Sequence, residues 1–187
     1  MSVITVIHDP EEKATWVGGN DRATIGSLVG PSIDKKWLVL DDWLVGITGA
    51  GPKLEALLAA AGDFPRKAKR PHEILQFMRT AYGAFDIGET DEGLKRYSGS
   101  GFIVHKIGAV WDFDNSFCLT EVPRGAFWAR GSGMDLAIGA ASALKNHVAR
   151  PEALTRRVLE IVIENDVDCP GAPLVQKFDS EGVLTDH

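Results

Sequence analysis

The chain opens with Met1-Ser2 and runs at once into Val3-Ile4-Thr5-Val6-Ile7, a short, apolar, β-branched stretch that reads as a buried strand. Methionine ahead of a small residue is normally trimmed, so the mature chain is expected to begin at Ser2. A free α-amine titrates near ~7.7–8.0 and can take the proton from the hydroxyl of its own residue at neutral pH. A lysine brought close would keep that amine unprotonated and make the hydroxyl more acidic. Such chemistry needs the chain start to be held inside a sheet, which a strand at Val3 permits. Alone, the same residues also fit an ordinary first strand.

Two glycine clusters are the other segments that could meet a reacting group. Gly46-Ile47-Thr48-Gly49-Ala50-Gly51 ends a strand and opens a helix, as a phosphate-binding loop would. It lacks the Lys-Ser/Thr that follows such loops and the GxGxxG spacing, so a tight turn is the competing reading. Gly131-Ser132-Gly133 precedes an alanine-rich helix, and its N–H groups could hold a negative group or orient a hydroxyl. The five histidines (His8, His72, His105, His147 and His187) show no metal-ligand spacing. Cys118 and Cys169 form no CxxC pair, and a reducing compartment is the simpler expectation. No cofactor is implied.

The elements that would position these groups follow from periodicity. After the turn His8–Glu12, residues 14–18 supply a second strand and complete a hairpin. Ile33–Leu40 and Trp43–Thr48 read as another, with Asp41-Asp42 as its turn. Leu54, Leu57, Leu58 and Ala61 recur at helical spacing, as do Ile74, Leu75, Met78 and Tyr82 after Pro71. Strands return at 101–106, 108–113, 117–121 and 127–129, and helices at 134–147 and 151–164. A last strand at 174–178 precedes a polar tail at 180–187. Helices come in pairs and do not alternate with strands, which argues against a doubly wound sheet. Two antiparallel sheets packed face to face, with a helix pair outside each, satisfy this order: an α+β, four-layer αββα sandwich in one domain spanning 1–187.

Composition narrows the function classes. Hydrophobic residues are 44% and charged residues 25%, as in soluble globular proteins, and the formal charge of −6 gives no broad attraction to nucleic acid or anionic membrane. The basic run Arg66-Lys67-Ala68-Lys69-Arg70 has no interleaved aromatics and reads as a solvated loop between helices. No signal peptide or membrane-spanning run is recognised, so the expected location is the cytoplasm.

Four segments, in order, resemble the β-type subunits of proteasomes and the bacterial two-ring heat-shock protease. Gly19-Asn20-Asp21-Arg22-Ala23-Thr24 resembles their Ala/Gly-Asp-Ser-Arg-Ala-Thr segment. Lys35-Lys36-Trp37, leading into 43–49, looks like their lysine strand and hairpin. Residues 127–137, with Gly131-Ser132-Gly133, are similar to their Ile-Gly-Ser-Gly helix start, and Asp166-Val167-Asp168-Cys169-Pro170-Gly171 resembles their Asp…Ser-Gly-Gly loop. The resemblance covers nearly the whole chain and implies the N-terminal-nucleophile (Ntn) hydrolase fold.

Carried over by position, it implies Ser2 as nucleophile, where the family usually has threonine. Lys36 becomes the activating lysine, with Lys35 as alternative because a one-residue slip exchanges strand faces. Gly49 supplies the oxyanion N–H, and Ser132 and Asp166 complete the network around the amine, with Cys169 at a position the family gives to serine or threonine. Asn20 is the main departure, since the family has an aspartate that pairs with the lysine. Without that counter-ion the lysine pKa should fall. Asp21 falls on the opposite face of an extended strand and cannot simply substitute; Asp34 can do so only if the strand bulges at Pro31. The resemblance implies a threonine/serine-type peptidase that cuts peptide or unfolded protein in a homo-oligomeric ring; an ATPase partner is unspecified. The alternatives are a non-catalytic assembly particle of the same fold, or a hydrolase of non-peptide amides.

Overall fold

The computed structural model describes residues 2–25, 28–32, 35–49, 51–91, 94–96 and 99–186. In chain order the elements are β1 (Val3–Asp9), β2 (Ala14–Asn20), β3 (Arg22–Ile25), β4 (Leu28–Ser32), β5 (Trp37–Leu40), β6 (Trp43–Ile47), α1 (Gly51–Ala59) and α2 (Pro71–Ala84). There follow β7 (Glu89–Asp91), β8 (Leu94–Arg96), β9 (Gly101–His105), β10 (Val110–Phe113), β11 (Leu119–Val122) and β12 (Phe127–Gly131). The last are α3 (Met134–Leu144), α4 (Pro151–Asn165), β13 (Pro173–Phe178) and β14 (Leu184–Asp186).

Two five-stranded antiparallel sheets carry the fold, in the orders β12-β1-β2-β13-β14 and β11-β10-β9-β6-β5. Every residue of β1 and β2 is buried, because the first sheet is covered on both faces. On one face Ala137 and Ala141 of α3 and Leu154, Val158 and Val162 of α4 pack with Val3, Ile7 and Val175. On the other, Ile4, Val6 and Val17 meet Trp37, Leu44, Phe102 and Val104 of the second sheet. That sheet in turn buries Val45, Ile47 and Ile103 under Leu57, Ile74 and Met78 of α1 and α2. The expected αββα sandwich is therefore the observed architecture.

Polar pins fix how the sheets sit. Trp37 Nε1 donates to Gln176 Oε1 at 2.6 Å, joining β5 to β13. Arg130 of β12 forms a two-pronged ion pair with the buried carboxylate of Asp112 on β10. Burying an aromatic of this size contributes on the order of 2–3 kcal/mol, so Trp37 sets the register of β5.

Several local expectations change. β5 begins at Trp37, and Ile33 and Asp34 lie outside the described residues. β1 runs on to Asp9, so its turn is Pro10–Lys13. The Asp41-Asp42 turn works without Asn-Gly because Asp41 takes a left-handed conformation at φ 55°, which aspartate tolerates better than most residues. The tail is polar but not structureless, since β14 pairs with β13. The β3–β4 and β7–β8 hairpins carry no strong alternation and were not expected. The basic run lies where expected, between α1 and α2. Among the described residues, no helix is long and apolar enough to cross a membrane.

Candidate active site

Ser2 stands at the head of β1 and is 3% exposed. Its carbonyl is gripped by the start of the α3 segment: Ser132 N donates to Ser2 O at 2.9 Å, and Ser132 Oγ donates to the same oxygen at 3.4 Å. Gly131 makes this approach feasible. Its φ is 105°, and a Cβ built there would lie 1.9 Å from Ser2 O. No side chain fits, so the second glycine cluster is a docking seat for the chain start.

Asn20 and Lys36 meet on the other side of β1. Asn20, 1% exposed, accepts from Val3 N at 3.0 Å through Oδ1. Its amide donates to Arg22 O at 2.6 Å and to Pro170 O at 2.8 Å. Lys36, also 1% exposed, donates from Nζ to the same Arg22 carbonyl at 3.0 Å. Asn20 and Lys36 are thus linked through one shared oxygen. Lys35 is exposed and takes no part, because Trp37 wedged between the sheets prevents the slip that would exchange the two lysines.

Burial pushes the Lys36 ammonium down to about 8, against an upward pull first from Asp21 and then from Cys169. Cys169 is itself a neutral thiol at neutral pH, raised to about 11 by burial and by the neighbouring Asp166 carboxylate. Asp21 therefore supplies the opposing charge, which corrects the expectation that it faces away. β2 ends at Asn20 and Asp21 forms a bend, so strand alternation does not govern its direction. Asp21 Oδ1 accepts from Ala172 N at 2.7 Å, and a Cβ on Gly171 would lie 2.1 Å from that oxygen. Asn20 and Asp21 together clamp the loop before β13 onto the end of β2.

The third group comes from that loop. Asp166 caps the C-terminal end of α4, accepts from Asp168 N at 2.9 Å, and hydrogen-bonds the Cys169 thiol. Cys169 Sγ lies 3.5 Å from Ser132 Oγ. Two polar chains therefore reach the first peptide of β1, one through Asn20 and Arg22 O, the other through Asp166, Cys169 and Ser132. Gly49 follows the strand β6. It is exposed with φ 63°, and its neighbour Thr48 packs its methyl 3.2 Å from the Cβ position of Gly131.

The carbonyls of Arg22 and Pro170, the carboxylate of Asp21 and the seat at Gly131 were not singled out from the sequence. Backbone oxygens carry no sequence signal. Gly131 was visible as one of a pair of glycines, but only its contact with Ser2 O distinguishes it. No His/Cys/Asp/Glu cluster able to hold a metal occurs among the described residues.

No protein-family model and no curated protein matches this chain. Solved structures do. Thiobacillus denitrificans BPH aligns over 98% of this chain and 97% of its own, with TM-score 0.72 and 18% identity. The same protein in complex with epoxomicin aligns with TM-score 0.70 and 18% identity, over 98% of each chain. Eukaryotic HslV from Trypanosoma brucei aligns with TM-score 0.65 and 22% identity, over 94% of this chain and 98% of its own. Side-chain identity is low while the path of the backbone is shared almost end to end, so the chain carries the proteasome-type Ntn hydrolase fold.

Proposed function

We propose that the chain is a proteasome-like peptidase subunit whose nucleophile is Ser2 once Met1 is removed. The freed α-amine takes the Ser2 hydroxyl proton as Oγ attacks the scissile carbonyl, and Gly49 N–H receives the oxyanion. Collapse breaks the C–N bond, and the amine's proton leaves with the departing amino group. Water then cleaves the ester by the same route, restoring Ser2 and releasing the acid. Lys36 favours the unprotonated amine, and its depressed pKa suits a group working near neutrality. Ser132, Asp166 and Cys169 hold the first peptide in place. Serine lacks the methyl that fixes a threonine rotamer, so turnover slower than with threonine is expected.

The observation that carries this reading is the burial of Ser2 at the head of β1, within a hydrogen-bond network that also holds Lys36. The epoxomicin complex of the Thiobacillus denitrificans protein supports the choice of probe. Intact mass before and after incubation with a peptide epoxyketone is the test. Loss of Met1 followed by one adduct on Ser2 is expected; retained Met1 overturns the proposal. Assembly into a homo-oligomeric ring is part of the reading, to be checked by native mass. A non-catalytic particle of the same fold is favoured by one feature, the uncharged Asn20 beside Lys36, and predicts an intact oligomer with Ser2 unlabelled.

A further inference from the structure

We infer that Lys53 is a positioning residue of the oxyanion site, polarising the Thr48–Gly49 peptide whose N–H would meet the developing negative charge. The inference rests on the peptidase reading of Ser2. Lys53 lies in the first turn of α1, where the helix dipole disfavours a cation, yet it is 5% exposed. Burial also depresses its pKa. A lysine serving only solubility would reach outward. Lys53 Nζ instead turns back and donates to Gly49 O at 3.3 Å.

A second contact shows what the ammonium faces. A Cβ built on Gly99 would lie 2.7 Å from Lys53 Nζ and 2.9 Å from Thr48 O. The ammonium and the Thr48 carbonyl thus border the one small space that glycine leaves at position 99, while the hydrogen bond of the ammonium goes to Gly49 O. Thr48 C=O is the far end of the peptide that bears Gly49 N–H. A cation near that oxygen draws electron density from the nitrogen and strengthens the N–H as a donor. The turn is held on its other side by Thr48 N to Ser100 O at 2.8 Å and Thr48 Oγ1 to Ser100 O at 2.9 Å. Pinned there and polarised by Lys53, the peptide needs little rearrangement when charge develops.

The test uses the full chain, with Met1 removed, as wild type, Lys53→Met, Lys53→Gln and Lys53→Arg. Readouts are kcat and KM on a fluorogenic peptide amide, and inhibition by a peptide aldehyde beside the matching alcohol. Only the aldehyde forms an oxyanion when the serine hydroxyl adds to it. Lys53→Met and Lys53→Gln should each lower kcat about tenfold with KM within about twofold. Both should weaken the aldehyde about tenfold and leave the alcohol unchanged, while Lys53→Arg keeps most of the activity. Gln retains a donor without the charge, so it decides the matter should the Met variant not fold. Unchanged kcat and aldehyde inhibition in an active protein overturn this inference alone, as does equal weakening of aldehyde and alcohol, the mark of a purely structural role. A wild type with neither turnover nor label at Ser2 overturns the peptidase reading and this inference with it.

Discussion

Replacing Lys36 by methionine should make the protein more stable and abolish its activity. Burial takes the Lys36 ammonium from the ordinary 10.5 to about 8. At 1.36 kcal/mol for each tenfold change in proton affinity, holding that charge in the folded chain costs about 3 kcal/mol. Methionine fills much the same space without charge. It loses the bond to Arg22 O, worth about 1 kcal/mol, but that oxygen keeps the Asn20 amide at 2.6 Å and is not orphaned. The variant should therefore be about 2 kcal/mol more stable at pH 7. The advantage has a definite pH window. Below about 8 the folded and unfolded chains both hold the proton, and the cost is fully present. Between about 8 and 10.5 the unfolded chain keeps the proton that the folded chain gives up, so wild-type stability rises with pH and the gap closes. Urea midpoints at pH 7 and pH 10, at one protein concentration, measure it; unchanged slopes certify a change in stability alone. Epoxyketone labelling should fall at least about a hundredfold, the scale of a lost acid–base group. A methionine variant less stable than wild type at pH 7, or a stability gap independent of pH, would refute the reasoning.

Asn20→Ala removes the partners of Val3 N and Pro170 O and should cost about 3 kcal/mol in urea unfolding. Gly131→Ala brings a methyl within 1.9 Å of Ser2 O at φ 105°. Its melting temperature should drop steeply and Ser2 labelling should vanish even in the folded fraction. Arg130→Met strands the buried Asp112 carboxylate and should cost about 3–5 kcal/mol, whereas Arg130→Met with Asp112→Leu should recover most of that loss in the same assay.

The pairing of helices, the strand-rich ends and the αββα architecture were legible in the linear order of apolar periods, because those periods follow from backbone geometry alone. Helix starts at Pro71 and Pro151 were legible for the same local reason. Ser2, Asn20, Lys36, Ser132 and Asp166 could be nominated from residue types and resemblance. Their meeting could not be read there, since it depends on contacts between segments far apart in sequence: Asn20 with Pro170, Ser132 with Ser2, Cys169 with Ser132. The choice of Lys36 over Lys35 was likewise undetermined in one dimension. It is made by an indole locked between two sheets and bonded to Gln176, a residue on a distant strand. Strand alternation cannot place Asp21, because β2 ends at Asn20 and the chain bends there. Lys53 carries no sequence signal, because a lysine in a helical stretch ordinarily points to water. Periodicity reports which face of an element is apolar, but a site is a set of distances between elements, and only packing in three dimensions sets those.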